Sequence, residues 1–232
     1  MSLTSLGRSR QGLTRYWACA AIHLVGVAFD LRALKLMSKV TLMPSLASWV
    51  RAQQGPPLLV AALLASTVGD LLMEVDLILP AMAMFAAAHV CYIAMFTRGT
   101  RRRSLLIAAA YCVLWLAAVV ALWPGLGVYR GPVTAYAILL TATAVTSLWY
   151  SGRAGLGGAL FLASDTLIGA RLAGHDFPLR VLLLKTAYGA GQYQIAMGLT
   201  RGTTAAIDTR VAVNGTSPPS AFRRLGGFPA GG

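Results

Sequence analysis

The sequence predicts an all-α fold, a polytopic bundle of about eight helices embedded in a membrane. Hydrophobic residues make up 57% of the 232 residues and charged residues only 12%, whereas soluble domains carry about 25% charged residues. Several apolar runs approach about 20 residues, the length that crosses a bilayer as a helix. The runs lack the alternation of membrane β-barrels, and a helix satisfies its backbone hydrogen bonds in lipid by itself.

Eight apolar segments follow one another along the chain. Tyr16–Leu36 is interrupted by charged residues, and the next segment, Lys39–Val50, is short and contains Pro44. The other six are Leu58–Met73, Leu77–Phe96, Leu105–Trp123, Val133–Tyr150, Leu156–Leu172 and Val181–Leu199. Because the second segment is too short to be certain as a separate span, seven helices are the alternative to eight.

Positive charge favours eight spans over seven. The chain has 20 Lys and Arg residues against 7 Asp and Glu residues, a net charge of +13. With eight spans and a cytoplasmic N-terminus, most arginines, including Arg101–Arg103, fall on the cytoplasmic side, as the positive-inside rule requires. We therefore expect both termini in the cytoplasm and a location in the plasma membrane. The basic residues are topology signals and contacts for anionic lipids, so no nucleic-acid partner is expected.

The composition divides the chain into three parts. Residues 1–15 form a basic cytoplasmic segment, residues 16–200 the transmembrane domain, and residues 201–232 a basic tail that we expect to be disordered. Cys19, Cys91 and Cys112 lie in apolar segments without pairing or metal-ligand spacing. We therefore expect no disulfide, no metal site and no cofactor.

Polar residues inside the apolar segments are the candidate functional residues. An ionisable group costs several kcal/mol at mid-membrane and is by default a functional hypothesis. His89 and Tyr92 lie one helical turn apart, and Lys185, Tyr188 and Gln192 share one face of the last segment. The full set of candidates is Lys39, Asp70, His89, Tyr92, Ser164, Asp165, Lys185, Tyr188 and Gln192. Pointed at one another, these groups would form a polar cavity inside an apolar shell.

Several of these residues also have a purely structural explanation. Tyr188 and Gln192 can simply join helices, and the two lysines can extend to the lipid headgroups. We expect Glu74 only to face solvent in a loop. Asp165 is hardest to explain in this way, because a long apolar stretch precedes it in its helix.

Taken in order, these residues resemble the YhhN/TMEM86 family of integral membrane proteins, the lysoplasmalogenases. The matching motifs are Lys39 with Met43-Pro44, Gly69-Asp70-Leu71-Leu72, Phe85 with His89 and Tyr92, Tyr136, Ser164-Asp165-Thr166, and Tyr188 with Gln192. The resemblance implies an eight-helix bundle that hydrolyses the vinyl-ether bond of lysoplasmalogen to a fatty aldehyde and glycerophosphoethanolamine or glycerophosphocholine. Its partners would be the lysophospholipid substrate and membrane lipids.

The chemistry of a vinyl ether suits two carboxyl groups. Acid protonates the β-carbon and water traps the resulting oxocarbenium ion, so one carboxyl must be protonated and another ionised. Two neighbouring carboxyls in a low dielectric fulfil this condition. We therefore expect Asp70 and Asp165 to meet and to share a proton as the catalytic pair. The other candidates would orient them, the water and the substrate, and Lys39 or Lys185 would bind the phosphate.

Two other functions use the same residues. A proton-coupled transporter or channel would employ the Asp, His and Tyr side chains as a relay, although the two halves of the chain show no convincing repeat. A non-catalytic lipid-binding protein would need them only to fix helix packing. Release of an aldehyde from lysoplasmalogen distinguishes the hydrolase from both.

Overall fold

The computed structural model of the protein describes residues 3–99 and 103–215, with side chains over residues 11–99 and 103–200. The described residues form eight α-helices and no strands, which confirms the predicted all-α fold. The helices are α1 (Leu3–Ala28), α2 (Arg32–Ala52), α3 (Pro57–Glu74), α4 (Ile78–Arg98), α5 (Leu105–Leu122), α6 (Arg130–Tyr150), α7 (Gly152–Leu172) and α8 (Arg180–Gly215). Two short 3₁₀ turns connect α5 to α6.

Four helical segments of the described chain are long and apolar enough to cross a membrane. They are Pro57–Glu74, Ile78–Arg98, Leu105–Gly125 and Gly127–Tyr150. In contrast, α2 and α7 carry more charged and small residues, among them Lys39 and Asp165. The protein is therefore an integral membrane protein in which several candidate residues lie on its more polar helices.

The first turn of the bundle lies earlier than the sequence predicts. Tyr16–Leu36 was expected to be one apolar segment, but α1 already ends at Ala28. Asp30 adopts the left-handed conformation, with φ of 53°, and the N–H of Leu31 bonds to the carbonyl of Gly26 at 2.8 Å. This is the hydrogen bond of a Schellman motif, and aspartate is one of the few residues that tolerate its left-handed position.

The early turn also settles the length of the second helix. The predicted segment Lys39–Val50 is the later part of α2, which has 21 residues and continues through Pro44. The same end motif recurs in α2 and α3, where Gln54 and Asp76 have φ values of 54° and 57°. Non-glycine residues therefore close three of the helices in this bundle.

The last helix continues past the predicted end of the transmembrane domain. α8 runs from Arg180 to Gly215, whereas the composition predicts a disordered tail from residue 201. Residues 201–215 contain no proline, and Pro218 is the first that cannot continue a helix. The rest of the predicted tail, residues 216–232, lies outside the described residues. Similarly, α1 includes the basic segment from Leu3 onward. The three-part division otherwise stays a prediction.

Close packing of α7 against both neighbours forms the centre of the bundle. A Cβ atom on Gly157 would lie 2.8 Å from the carbonyl oxygen of Gly191 in α8. A Cβ atom on Gly158 would lie 2.2 Å from Ser147 Oγ in α6. Small residues let helix backbones approach in this way within a membrane. α5 is different: it packs mainly on α6 and has no buried residue.

The two ends of the bundle differ in charge. Because consecutive helices alternate in direction, the turns after α1, α3, α5 and α7 lie at one end, here named the acidic end. These turns comprise residues 29–31, 75–77, 123–129 and 173–179. The turns themselves contain Asp30, Asp76 and Asp176 and no lysine or arginine, although the helices that begin or end there carry Arg32, Arg130, Arg171 and Arg180. At the opposite end, Arg51 and Arg98 lie in the last turns of helices, and residues 11–99 and 103–200 place no Asp or Glu there. The predicted cytoplasmic position of the termini stays a prediction.

Candidate active site

Asp70 is held by two side chains of α8. It lies near the C-terminal end of α3, and its side chain is 9% exposed. Lys185 Nζ donates to Asp70 Oδ1 at 3.0 Å, and Tyr188 OH donates to Asp70 Oδ2 at 2.8 Å. Lys185 and Tyr188 lie on one face because they are three residues apart in a helix. The predicted face of α8 therefore points to Asp70.

Asp165 lies in a second cluster formed by α4, α6 and α7. Its side chain is 7% exposed and accepts hydrogen bonds from Tyr136 OH and from Ser164 Oγ, the latter at 2.9 Å. His89 Nε2 lies 3.9 Å from Asp165 Oδ2 and 3.1 Å from Tyr136 OH. The other ring nitrogen of His89 is hydrogen-bonded to Thr143 Oγ1 at 3.0 Å. Tyr136 therefore connects the buried histidine to the carboxylate.

A third polar contact joins α3, α4 and α8 between these clusters. Tyr92 OH donates to Gln192 Oε1 at 2.6 Å, and Gln192 Nε2 donates to Ser66 Oγ at 3.2 Å. All three side chains are buried. A buried amide with both ends paired fixes α3, which carries Asp70, relative to α4 and α8, which carry His89 and Tyr188.

Aromatic rings lie between the two carboxylate clusters. The Phe161 ring is 4.9 Å from the His89 ring and 5.4 Å from the Tyr188 ring. The described hydrogen bonds of Asp70 and Asp165 go to different side chains. A proton shared directly between the two carboxyls therefore stays a prediction.

The remaining lysine candidate is paired at the acidic end. Lys39 Nζ forms an ion pair with Glu74, whose side chain is 25% exposed. The expectation that Glu74 only faces solvent is therefore wrong, because Glu74 lies one turn beyond Asp70 on α3, next to α2. In the described part of the chain Lys39 contacts Glu74 rather than either candidate aspartate.

Two cavities meet the wall formed by Tyr136 and Asp165. The larger, about 430 Å³, lies between α5, α6 and α7. The smaller, about 40 Å³, lies on the side of α4 and is also lined by Phe85. Most of its lining is apolar, but its volume suffices for about one water molecule, for which Tyr136 and Asp165 are the polar lining residues. Asp165 is thus accessible from two separate spaces.

Three residues of the site were not among the sequence candidates. Tyr136 was noted only as part of the resemblance, and Thr143 and Ser66 were not singled out as partners. Ser66 lies one turn before Asp70 on the same face of α3, a spacing that the sequence does contain. The position of Thr143 beside His89 depends on the packing of α6 on α4, for which the sequence has no local signal.

Comparison with known proteins identifies a relative and a family. Human lysoplasmalogenase TMEM86B is 31% identical over 165 residues, which cover 69% of this chain and 72% of the human protein. No solved structure matches the chain. A model of the YhhN family matches residues 34–199, a range that includes every candidate residue. Because this match spans most of the transmembrane bundle and well over half of the chain, the protein belongs to the YhhN family.

Proposed function

We propose that the protein hydrolyses the vinyl-ether bond of a lysoplasmalogen and releases a fatty aldehyde. Family membership and the human relative support a hydrolase that acts on a lysophospholipid in the membrane. The observation that supports the specific reaction is the position of Asp165. This buried carboxyl group borders both an apolar cavity and a water-sized cavity.

The reaction needs one proton and one water molecule, and it consumes no oxidant or reductant. A proton adds to the β-carbon of the vinyl ether, and the alkene electron pair forms the new C–H bond, which leaves an oxocarbenium ion. Water then forms a C–O bond to the charged carbon and loses a proton. In the resulting hemiacetal, the bond to the glycerol oxygen breaks and this oxygen takes up a proton, while the hydroxyl group loses its own proton to become the carbonyl of the released aldehyde.

Asp165 is the proposed proton donor. The vinyl ether would approach from the larger cavity, whereas the attacking water would occupy the smaller cavity on the opposite side of the Tyr136–Asp165 pair. Carboxylic acids protonate substrates effectively when they are positioned within hydrogen-bond reach. This arrangement keeps the hydrocarbon chain and the water apart until the cation forms.

Hydrogen-bond counting supports a route that returns a proton to Asp165. The hydroxyl of Thr143 donates to the Leu139 carbonyl at 2.9 Å, so His89 Nδ1 must donate to Thr143. If His89 Nε2 also carries a proton, Tyr136 donates to an ionised Asp165. If the Nε2 proton of His89 passes to Tyr136 while the Tyr136 proton passes to Asp165, then Tyr136 donates to His89 and Asp165 is protonated. The two arrangements differ only by proton shifts along existing hydrogen bonds.

Asp70 is the proposed ionised partner. Its carboxylate accepts from the ammonium group of Lys185 and the hydroxyl of Tyr188. Asp70 lines neither cavity, so its negative charge would act on the reacting carbon across the aromatic rings between the two clusters. Such a fixed charge stabilises an oxocarbenium ion more strongly in a low dielectric than in water. Tyr188 and Lys185 orient the carboxylate, and Lys185 offsets its charge while no substrate is bound.

The headgroup is proposed to bind at the acidic end. Lys39 and Glu74 form an ion pair at the mouth of the bundle. The substrate phosphate would form an ion pair with Lys39 in place of Glu74. Glu74 could then pair with the ammonium group of ethanolamine or choline. Both charges of a zwitterionic headgroup would thus replace a resting protein ion pair.

The decisive experiment compares three lysolipids that share one chain length and headgroup. Purified protein in detergent receives the alkenyl, the acyl and the alkyl compound, and aldehyde and fatty acid are measured. We expect aldehyde from the alkenyl lipid alone. Fatty acid from the acyl lipid would instead identify an esterase. No product from any lipid would contradict hydrolysis and favour transport or lipid binding.

Carboxyl-to-amide variants test the two proposed roles. Asp70→Asn and Asp165→Asn should each lower turnover by about 10²-fold or more, because Asp165→Asn removes the proton donor and Asp70→Asn removes the negative charge that stabilises the cation. Asp76→Asn is the matched control, since it lies in a turn with φ of 57° that asparagine also tolerates. Near-normal turnover in either site variant would contradict the paired mechanism.

A further inference from the structure

The larger cavity beside Asp165 has a wall composition that suits a hydrocarbon chain. Its volume is about 430 Å³, within the usual range of small-molecule sites. Most of its walls are apolar side chains, and Asp165 is the charged one among the described residues that line it. Representative apolar wall residues are Leu114, Ala118, Val119, Leu140, Ala159 and Leu162.

The cavity also has the dimensions of an extended chain. Its lining residues on α7 run from Ala159 to Gly169, and those on α5 from Tyr111 to Leu122. At about 1.5 Å per helical residue, each wall is roughly 15 Å long. On the α7 wall, Asp165 lies in the half nearer the acidic end. The part of the cavity between Asp165 and Ala159 has apolar walls and therefore suits only apolar groups.

The outer wall of the cavity is the least anchored helix of the bundle. α5 has no buried residue and packs mainly on α6. The segment Leu105–Gly125 is also the most apolar of the four candidate spans, with a mean hydropathy of 2.6. A chain that passes from the bilayer into the cavity therefore needs to displace only α5, whereas the helices that hold Asp70 and Asp165 stay packed.

Building on the proposed function, we propose that this cavity binds the alkenyl chain of the lysolipid, which enters sideways from the bilayer past α5. The chain would lie along α7 towards Ala159, with its first double bond at Asp165 and its glycerol oxygen towards the acidic end. Lipid tails are as apolar as the cavity walls, so transfer from the bilayer contributes little affinity. The cavity acts by alignment, since a misplacement of about 1 Å costs about 10²-fold in rate.

A photoreactive lipid tests the site without any turnover. The probe is a saturated 1-O-alkyl lysophospholipid with a diazirine near the end of its chain, which the proposed reaction does not cleave. After illumination of the purified protein, we expect cross-links on the lining residues of α5, α6 and α7, and an excess of unlabelled lysolipid should abolish them. Cross-links confined to other helices, or labelling that does not compete, would overturn the proposal.

Two neighbouring alanines of α5 provide a matched pair of variants. Ala118 lines the cavity, whereas Ala117 is exposed and does not line it. Ala118→Phe should reduce specific cross-linking at least about tenfold, and Ala117→Phe should leave it unchanged. Equal behaviour of the two variants would contradict chain binding here. If Ala118→Phe does not fold, Ala163→Phe fills the same cavity from α7.

Kinetic measurements separate this proposal from the proposed function. In an active protein, Ala118→Phe should lower kcat/KM for long alkenyl chains by about tenfold relative to short ones, with no such shift in Ala117→Phe. If the wild type releases no aldehyde but the cross-links appear as expected, the reaction is refuted and the chain site stands. If aldehyde is released without competing cross-links in the cavity, the chain site is refuted and the reaction stands.

Discussion

At the scale of single residues, Tyr136 is the best position at which to test whether the buried polar groups form a catalytic site or only structural contacts. Its hydroxyl contacts both His89 and Asp165, so a proton can move between them through this oxygen along existing hydrogen bonds. A phenylalanine would keep the ring packing and remove the connection. If Tyr136 were only structural, removal of its hydroxyl would affect activity less than if Tyr136 transfers a proton.

Tyr136→Phe should lower turnover of the alkenyl lipid by about 10²-fold, because general acid–base catalysis contributes at least that much. Tyr129→Phe, in the turn before α6, is the control and should behave as the wild type. The measurement is the initial rate of aldehyde release across pH, together with the solvent isotope effect. A Tyr136→Phe protein with unchanged kcat would exclude the relay, even if its melting temperature fell.

The residues of the site show which contacts a sequence can predict. The shared face of Lys185, Tyr188 and Gln192 follows from helical spacing alone and was predicted. The partners of this face were not all foreseen: Lys185 reaches Asp70 across 115 positions of the chain, and Gln192 reaches Ser66 across 126. Such pairs depend on which helices pack together, and single-sequence periodicity contains no information about that.

At the scale of helices, the apolar runs predicted most elements closely and missed one turn. α3, α4 and α5 begin and end within a few residues of the predicted segments. The turn at Asp30 escaped prediction, because the charged residues around it resemble an interruption within a helix. Only the left-handed backbone of Asp30 and its ion pair with Lys35 at 2.6 Å mark it as a helix end.

Glycine at the contact of α6 and α7 should matter more for stability than glycine at the start of α7. A methyl group on Gly158 would clash with Ser147 Oγ and the Ala144 backbone, and overpacking of this kind costs about 1–3 kcal/mol. Gly158→Ala should therefore lower the melting temperature in detergent. Gly152→Ala, where nothing lies within 4 Å of the added Cβ, should not. Equal melting temperatures would contradict the close helix contact.

The start of α8 provides a prediction for acidic pH. Asp176 accepts a hydrogen bond from Arg180 Nε at 2.6 Å, and this bond lowers the pKa of the exposed Asp176 carboxyl below its usual value. A lowered folded-state pKa stabilises the fold above the unfolded value of about 3.9 and ceases to do so as pH falls through the folded value. The melting temperatures of wild type and Asp176→Asn should therefore differ near neutral pH, and the difference should shrink as pH falls through the folded-state pKa of Asp176. A constant difference across this range would show that the pair does not stabilise the fold.

At the scale of the whole molecule, the charge distribution predicts how the protein is oriented in the membrane. That orientation in turn determines from which leaflet a lipid headgroup reaches the site. Asp30, Asp76 and Asp176 lie in turns of the acidic end, where Lys39 and Glu74 form the proposed headgroup contact. Within residues 11–99 and 103–200, the opposite end carries Arg51, Arg98, Arg103 and Arg153 and no Asp or Glu, whereas the arginines of the acidic end are accompanied by these carboxylates. By the positive-inside rule, the acidic end should face away from the cytoplasm, and a lysolipid of that leaflet would then be the substrate.

Cysteine labelling tests this orientation directly. In a background without Cys19, Cys91 and Cys112, Val75→Cys places a thiol in the turn after α3 and Ala52→Cys places one at the opposite end of the bundle. A membrane-impermeant maleimide should label the Val75→Cys protein in intact cells, and the Ala52→Cys protein only after permeabilisation. The reverse pattern would place the acidic end in the cytoplasm. In that case the headgroup contact of Lys39 and Glu74 would face cytoplasmic-leaflet lipids, while the internal proton route through Tyr136 would remain the same.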